Sequence, residues 1–140
     1  MLSENALVLN GDSFCIFDVF KLIKFHDNHK ADVTLVSKYC VDNLRYGMFS
    51  LDGDIVKKFD EKIDQSIGGY ISVGFYCINI KILRENLEVN NSFEYDLMPK
   101  WLNEKKKIFS LRVDGEFIDI GTPESLQQAE QFIKSHLTSL

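Results

Sequence analysis

The sequence of 140 residues lacks several features that mark whole classes of protein. It has no C-x-x-C pair, and its three cysteines are an odd number, which argues against a zinc knuckle or a disulfide framework. Because it has neither an apolar run of 18 residues nor a basic-then-apolar leader, we expect no membrane-spanning or export segment. Repeats, low-complexity tracts and linkers are also missing, so we expect one domain without an internal boundary.

Positive charge is scarce as well. Lys and Arg number 16 against 21 Asp and Glu, which gives a net charge of −5. Proteins that hold nucleic acid or an anionic membrane by bulk electrostatics concentrate positive charge, so we expect neither partner here. The same balance allows the binding of one phosphorylated small molecule, which a few placed cations or a metal ion can hold.

The cysteines that are present, Cys15, Cys40 and Cys77, each lie within an apolar stretch. A free cysteine in such surroundings usually packs in the core as a small hydrophobic side chain. We therefore expect three buried thiols and, because no disulfide framework is indicated, a reducing, cytoplasmic setting.

The first half of the chain has the pattern of an α/β fold. Ala6 to Leu9 is a short apolar run, which predicts a strand buried on both faces inside a parallel sheet. Asn10-Gly11-Asp12 follows it directly, at the carboxyl end where open α/β sheets place their ligands. Residues 18–30 have helical spacing and residues 31–37 are rich in β-branched side chains, so the sequence predicts a β-α-β unit.

The second half predicts shorter elements. Asp52-Gly53-Asp54 lies between two strand-like runs and indicates a hairpin. Ser92 is the expected N-cap of a helix that runs to about residue 103, and Thr122-Pro123-Glu124 is a typical helix start. Further strands are predicted at 70–80, 108–113 and 116–120, and a short helix at 80–88.

Three groups of polar residues are candidates for chemistry. Asp12 follows an apolar strand beside Gly11, and a carboxylate in that position suits a hard cation such as Mg²⁺. Asp119 lies among apolar residues of a predicted strand, where a carboxylate is costly to bury unless it is paired or bound to metal. Glu61 and Lys62 are an adjacent acid and base. A turn aspartate, a solvent-facing aspartate and a solvated surface pair are the alternative interpretations of these three groups.

His26 and His29 lie three residues apart on the predicted first helix. A metal site would use such a pair, but a surface position explains it more simply. A dinucleotide-binding or flavodoxin-like domain is not favoured either, because no G-x-G-x-x-G follows a strand.

Six segments together resemble the sugar-1-phosphate nucleotidyltransferases, in the order and at the spacing of that family. The compact spacing is most similar to the short bacterial enzymes that activate D-glycero-D-manno-heptose 1-phosphate with GTP. The resemblance implies an α/β fold, a partial Rossmann-like (GT-A-like) three-layer arrangement with a mixed sheet. Residues 1–140 would form the carboxyl-terminal part of the nucleotidyltransferase domain. The segments are Leu9-Asn10-Gly11-Asp12-Ser13, Arg45-Tyr46-Gly47, Phe59-Asp60-Glu61-Lys62, Val73-Gly74-Phe75-Tyr76, Ser92-Phe93-Glu94 and Phe117-Ile118-Asp119-Ile120-Gly121-Thr122-Pro123-Glu124.

The resemblance also implies a reaction. The phosphate of a sugar 1-phosphate attacks the α-phosphorus of a nucleoside triphosphate and pyrophosphate leaves, a step that depends on positioning and charge neutralisation. By resemblance, Asp12 and Asp119 hold Mg²⁺ against the reacting phosphate. Glu61 accepts hydrogen bonds from sugar hydroxyls, and Lys62 steadies the sugar's phosphate.

Glycines belong to the implied site too. Gly11, Gly47 and Gly74 would let the backbone come close to the substrate, because they carry no side chain. Ser92 and Glu94 are interpreted mainly as residues that start a helix, and contact with the sugar is the less favoured alternative.

The sequence departs from the family at its beginning. The family opens with a strand and a Gly-rich loop of the type G-G-x-G-T-R-L that cradles the triphosphate, and no such segment occurs here. We therefore expect this polypeptide alone to turn over no substrate. We also expect an exposed apolar strand edge that pairs with another chain, either in a homo-oligomer or with a complementing N-terminal chain. The alternatives are a non-catalytic module that binds a sugar phosphate or a partner, and a vestigial fragment of the fold.

Overall fold

The computed structural model describes residues 4–42, 46–60, 68–86 and 92–137. Within these ranges the chain forms eight strands, four α-helices and one π-helical turn, the turn at Phe93–Leu97. The strands are β1 Asn5–Leu9, β2 Ser13–Cys15, β3 Val33–Cys40, β4 Met48–Asp52, β5 Ile55–Asp60, β6 Gly69–Asn79, β7 Ile108–Arg112 and β8 Phe117–Asp119. The helices are α1 Val19–His29, α2 Ile80–Glu85, α3 Met98–Asn103 and α4 Pro123–Leu137.

Six of the strands form one mixed sheet in the order β1-β6-β3-β7-β5-β4, and β4 also pairs with β6. β6 is antiparallel to β1 and to β3, whereas β3 and β7 are parallel. β1 and β3 therefore run in the same direction with β6 between them. The predicted β-α-β unit forms, but its two strands are not neighbours.

β1 lies at the edge of this sheet, and the prediction that it is buried on both faces is wrong. Leu7 is 43% exposed and Leu9 is 56% exposed. The physical reason is that β1 has a strand partner on one side alone among the described residues, while α1 packs against β3, β6 and β7. The run of apolar residues predicted the strand correctly but not its place in the sheet.

Two hydrophobic clusters cover the two faces of the sheet. Leu35 packs in the cluster that includes Met98 and Trp101 of α3, and Val36 packs in the cluster that includes Leu22 of α1. Because successive residues of a strand point to opposite faces, these two clusters lie on opposite sides of β3. The result is a layer of helix on each face of a mixed sheet, which is the three-layer α/β arrangement expected from the sequence.

The local signals for turns and helix ends are confirmed. Strands β4 and β5 form the predicted hairpin, closed by Gly53 and Asp54. The Ser92 hydroxyl accepts a hydrogen bond from the backbone N–H of Tyr95 at 3.3 Å. The Thr122 hydroxyl accepts one from the N–H of Ser125 at 3.2 Å, at the start of α4.

The cysteines are free, and two of the three follow the prediction. Cys15 and Cys77 are buried beside α1, and burial raises the pKa of the Cys15 thiol and raises that of Cys77 to about 11. Cys40 is half-buried, and its thiol contacts the backbone carbonyl oxygen of Asp42 at 3.0 Å. No helix in the described ranges is long and apolar enough to cross a membrane.

His26 does not lie at the surface, so that prediction is wrong for this residue. It is 2% exposed, and its Nδ1 lies 2.9 Å from the hydroxyl of Thr34 on β3. The reason is helical spacing, since Leu22 and His26 are four residues apart on the face of α1 that packs on the sheet. His29 is half-buried and stacks on Phe25 with 4.1 Å between ring centroids.

Candidate active site

A two-stranded ribbon positions the two aspartates that the sequence singles out. β2 pairs with β8 in antiparallel register, with Ser13 opposite Asp119. The backbone N–H of Ile120 donates a hydrogen bond to the carbonyl oxygen of Asp12 at 2.9 Å. This pairing joins segments from the beginning and the end of the chain, and it brings Asp12 and Asp119 to one place.

Both aspartates line the same cavity, which has a volume of about 160 Å³. The Asp119 carboxylate accepts a hydrogen bond from the N–H of Gly121 at 2.6 Å, and the Asp12 carboxylate accepts one from the Ser13 hydroxyl at 3.3 Å. The other residues of this wall are Asn10, Tyr46, Gly47, Ser72, Glu94 and Tyr95. We name this space the aspartate cavity.

A second cavity of about 300 Å³ shares a wall with the aspartate cavity. The residues common to both are Gly47, Ser72, Glu94 and Tyr95. Beyond that wall the second cavity is lined by the apolar side chains of Met48, Phe49, Phe59 and Pro99, and we name it the apolar cavity. A ligand with a charged end and a bulkier body could place one end in each space.

A partly buried hydrogen-bond network holds Glu94 in the shared wall. The Tyr76 hydroxyl donates to Glu94 Oε1 at 2.9 Å and lies 3.0 Å from the hydroxyl of Ser72. Tyr76 is 1% exposed, and burial together with the Glu94 carboxylate raises the pKa of its hydroxyl. The tyrosine therefore remains a protonated donor, and it fixes the orientation of the carboxylate.

The backbone around Glu94 is irregular. Residues Phe93–Leu97 form a π-helical turn, in which the N–H of Leu97 donates to the carbonyl oxygen of Ser92 at 3.1 Å. Asp96 accepts a hydrogen bond from the N–H of Ser92 at 2.7 Å and closes the turn. Such turns are rare and occur often at functional sites. This one places Glu94 and Tyr95 side by side in the walls of both cavities.

The predicted glycines have different surroundings. Gly47 lines both cavities. Gly74 has a φ of +78° and lies against Asn10, whose side chain would be 2.8–2.9 Å from an added Cβ. Its lack of a side chain therefore makes room for Asn10, which is itself in the wall of the aspartate cavity. Gly11 lies in the exposed turn after β1, where an added Cβ would meet no atom within 4 Å.

The remaining predicted site residues, Glu61 and Lys62, lie outside the described residues. Arg45 of the motif Arg45-Tyr46-Gly47 lies outside them as well. The structure therefore brings together Asp12, Asp119 and Gly47 from the predicted set. The predicted roles of Glu61 and Lys62 remain predictions.

The donor set of the aspartate cavity fits a magnesium ion. Mg²⁺ usually binds to one or two carboxylates and completes its shell with water and substrate phosphates. Asp12 and Asp119 supply two such carboxylates in one wall. Within the described ranges no cluster of three or more His, Cys, Asp or Glu side chains could hold a metal by itself. Two carboxylates are within the number that Mg²⁺ usually takes from a protein, and water and phosphate oxygens would complete its shell.

Sequence reasoning missed Ser72 in this wall and Tyr76 behind it, and it gave Glu94 a sugar role only as the less favoured interpretation. All three lie in or beside segments that resemble the family. The sequence does not indicate the hydrogen bond between Tyr76 and Glu94, because the two residues belong to different elements. No periodicity in the sequence indicates the π-helical turn that aims Glu94 at the cavities.

A family model described as nucleotidyl transferase matches residues 2–136 of this chain. A D-glycero-alpha-D-manno-heptose 1-phosphate guanylyltransferase of Aneurinibacillus thermoaerophilus is 33% identical, and the match covers 96% of this chain and 58% of that protein. A glucose-1-phosphate adenylyltransferase of Clostridium acetobutylicum is 29% identical, with 98% of this chain and 39% of that protein covered. The chain thus spans between about two-fifths and three-fifths of the length of these two relatives.

Solved structures share the fold. The crystal structure of HddC from Yersinia pseudotuberculosis superposes with a TM-score of 0.78 at 29% identity, covering 94% of this chain and 57% of that one. A putative glucose-1-phosphate thymidylyltransferase from Bacillus anthracis superposes with a TM-score of 0.74 at 20% identity, covering 92% and 54%. At that identity the second likeness concerns the fold alone.

The family model covers nearly the whole chain, and its match agrees with the motifs and with the mixed α/β fold. The resemblance to the sugar-1-phosphate nucleotidyltransferases is thereby confirmed at the level of the family. The chain belongs to the nucleotidyl transferase family.

Proposed function

We propose that this chain supplies the sugar and metal side of a sugar-1-phosphate nucleotidyltransferase site. The observation that carries the proposal is that Asp12 and Asp119, from opposite ends of the chain, line one cavity that shares a wall with a second, apolar-lined cavity. The names of the relatives support the substrate class, because two of them act on a sugar 1-phosphate. A cytoplasmic location belongs to the proposal, since free thiols suit a reducing compartment.

In the proposed reaction a phosphate oxygen of the sugar 1-phosphate forms a new bond to the α-phosphorus of a nucleoside triphosphate. The bond from that phosphorus to the bridging oxygen breaks, and pyrophosphate leaves. Asp12 and Asp119 would hold Mg²⁺, which when bound neutralises negative charge on the reacting phosphates. The two carboxylates are positioned in advance by the β2–β8 pairing, so the site needs little reorganisation.

The other walls determine where the sugar lies. The apolar cavity has room for a sugar ring, and its side chains Phe49 and Phe59 offer flat apolar surfaces to the ring's C–H groups. Glu61 is proposed to accept a hydrogen bond from a sugar hydroxyl. Lys62 is proposed to contact the sugar's phosphate. Gly47 and Gly11 are proposed to let the backbone come close to the ligand.

The test measures ligand binding rather than turnover. We expect Mg²⁺ together with glucose, mannose or heptose 1-phosphate to raise the melting temperature of the chain, because a ligand that binds the folded state stabilises it. Asp12→Asn and Asp119→Asn should each weaken the Mg²⁺-dependent binding about tenfold, since each removes one charged ligand. Calorimetric titration gives the affinities.

The matched control is Asp114→Asn, which removes the carboxylate of an exposed aspartate that lines neither cavity. It should leave the affinity unchanged. If the three variants behave alike, or if no sugar phosphate binds the wild-type chain, the proposal is wrong.

A non-catalytic module that binds a sugar phosphate or a partner is the second candidate. The observation that favours it is that the described site contains the aspartate and apolar cavities but has no cluster of Lys and Arg in their walls that could hold a triphosphate. Binding of sugar phosphate without any binding of nucleoside triphosphate would support this module over the transferase.

A further inference from the structure

The geometry points to Glu94 as the residue that recognises the hydroxyl groups of the ligand, at the junction between the aspartate cavity and the apolar cavity. This inference rests on the proposed function and adds to it a residue that determines specificity. It assigns to Tyr76 the role of a positioning residue, which acts on the ligand through Glu94.

Glu94 lies where the two cavities meet. Glu94 is half-buried and lines both cavities, as do Gly47, Ser72 and Tyr95. Among these four shared residues it alone carries a charged side chain. A ligand that extends from the aspartates into the apolar cavity must pass this carboxylate, so the carbons next to the phosphate-bearing carbon would lie beside it.

Hydrogen bonds hold the Glu94 carboxylate in one orientation. Tyr76 donates a hydrogen bond to Oε1 at 2.9 Å, and the Ser72 hydroxyl lies 3.0 Å from the Tyr76 oxygen. Ser72 is itself fixed by a hydrogen bond of 3.2 Å from the N–H of Gly74. A carboxylate has about four acceptor sites, so the bond from Tyr76 leaves it able to accept further hydrogen bonds. A side chain fixed in advance loses little entropy when it binds a ligand.

Aromatic packing makes Tyr76 rigid on the side of its ring that faces the core. The Tyr76 ring stacks on Phe93 with 5.5 Å between centroids, and Phe93 packs edge-on against the buried Trp101. The donor to Glu94 is therefore part of the core rather than a surface loop. Such support is what a recognition group needs to keep one geometry.

Carboxylates accept charge-assisted hydrogen bonds from hydroxyl groups, which are stronger than bonds between neutral groups. The ligand class that fits is therefore a polyhydroxylated ring that carries a phosphate, with a hydroxyl donor close to the phosphate-bearing carbon. Inorganic phosphate contains the charged end alone and cannot engage Glu94 in this way. The ratio of the two affinities isolates the role of the residue.

The experiment titrates wild-type chain, Glu94→Gln and Tyr76→Phe with glucose, mannose and heptose 1-phosphate and, separately, with inorganic phosphate, all in the presence of Mg²⁺. We expect Glu94→Gln to weaken the binding of the preferred sugar phosphate about tenfold, as loss of a charge-assisted hydrogen bond does, while phosphate binding is retained. Tyr76→Phe keeps the ring and its stacking, so we expect a smaller loss of about two- to fivefold in the same ratio. Glu130→Gln on the exposed face of α4 is the matched control and should change neither affinity.

Three results would count against three different statements. If the wild-type chain binds no sugar phosphate more tightly than phosphate, the proposed function fails and Glu94 loses its role with it. If the wild-type chain shows that preference and Glu94→Gln keeps it in full, the inference about Glu94 alone is wrong. Equal weakening of both ligands in Tyr76→Phe would mean a general structural defect and would remove its positioning role.

Discussion

At the scale of single residues, the buried imidazole of His26 makes stability depend on pH. Burial lowers the pKa of His26, while the nearby carboxylates of Asp27 and Asp32 raise it by less. The unfolded chain therefore takes up the proton near the ordinary histidine pKa of about 6.5, before the folded chain does. Below that pH the unfolded state binds more protons, so the free energy of unfolding falls as the pH falls.

The measurement is the free energy of unfolding in urea between pH 7.5 and 5 for wild-type chain and His26→Gln. We expect the wild type to lose more stability than the variant as the pH drops below about 6.5, with a difference in slope of at most about 1.4 kcal/mol per pH unit, the value for one proton. The carboxylates contribute to both proteins and cancel in the comparison. Parallel curves would show that burial does not shift this histidine.

The sequence predicted the two aspartates of the site but not the hydrogen-bonded Glu94. Asp12 and Asp119 were recognisable because both lie in segments that resemble the family, whereas their pattern alone is equally compatible with a turn aspartate and a solvent-facing aspartate. Glu94 was not, because its charge is equally favourable in the first turn of a helix, and that was the simpler interpretation. Its connection to Tyr76 arises in three dimensions, through a π-helical turn that no sequence spacing encodes.

At the scale of elements, β1 presents an apolar edge. Leu7 and Leu9 lie two residues apart on the same face of the strand, and both are substantially exposed. The sequence predicted the strand from its composition, but composition cannot distinguish a central strand from an edge strand. The difference depends on which other strands are available to pair, and that is a property of the whole sheet.

An exposed apolar edge promotes pairing between chains, so replacing it with charge should reduce self-association. We expect the double variant Leu7→Lys and Leu9→Lys to raise the temperature at which light scattering begins. Its free energy of unfolding should change by no more than about 0.5 kcal/mol per site, as is usual for exposed positions. Leu126→Lys is the control, since Leu126 is 57% exposed but lies on helix α4. If both variants delay scattering equally, the edge has no special role.

At the scale of the whole molecule, the site depends on two short strands that meet from distant parts of the chain. β2 and β8 have three residues each, and neither was predicted to pair with the other. Pairs this short carry little sequence signal, because their register is set by the structure around them. Lys38 of β3 contributes to that frame by donating hydrogen bonds to the carbonyl oxygens of Asp114 and Gly115, at 3.1 and 2.7 Å.

Gly115 packs directly on the backbone of Ile16, and a Cβ added to it would fall on the carbonyl oxygen of Ile16. Gly115→Ala would therefore force β2 and β8 apart, and we expect it to lower the free energy of unfolding by about 2–3 kcal/mol, as overpacking does. Gly11→Ala is the matched control, because its Cβ would meet no atom within 4 Å, and it should cost no more than about 0.5 kcal/mol.

Separating the ribbon should also separate Asp12 from Asp119, because their positions are fixed by that pairing. Folded Gly115→Ala, studied well below its melting temperature, should bind Mg²⁺ and sugar phosphate more weakly than wild type by about tenfold, since two ligands of one ion no longer converge. Calorimetric titration at that temperature distinguishes this effect from lost stability. A variant that is destabilised but binds normally would show that the aspartates converge without the ribbon, and that another part of the fold holds them together.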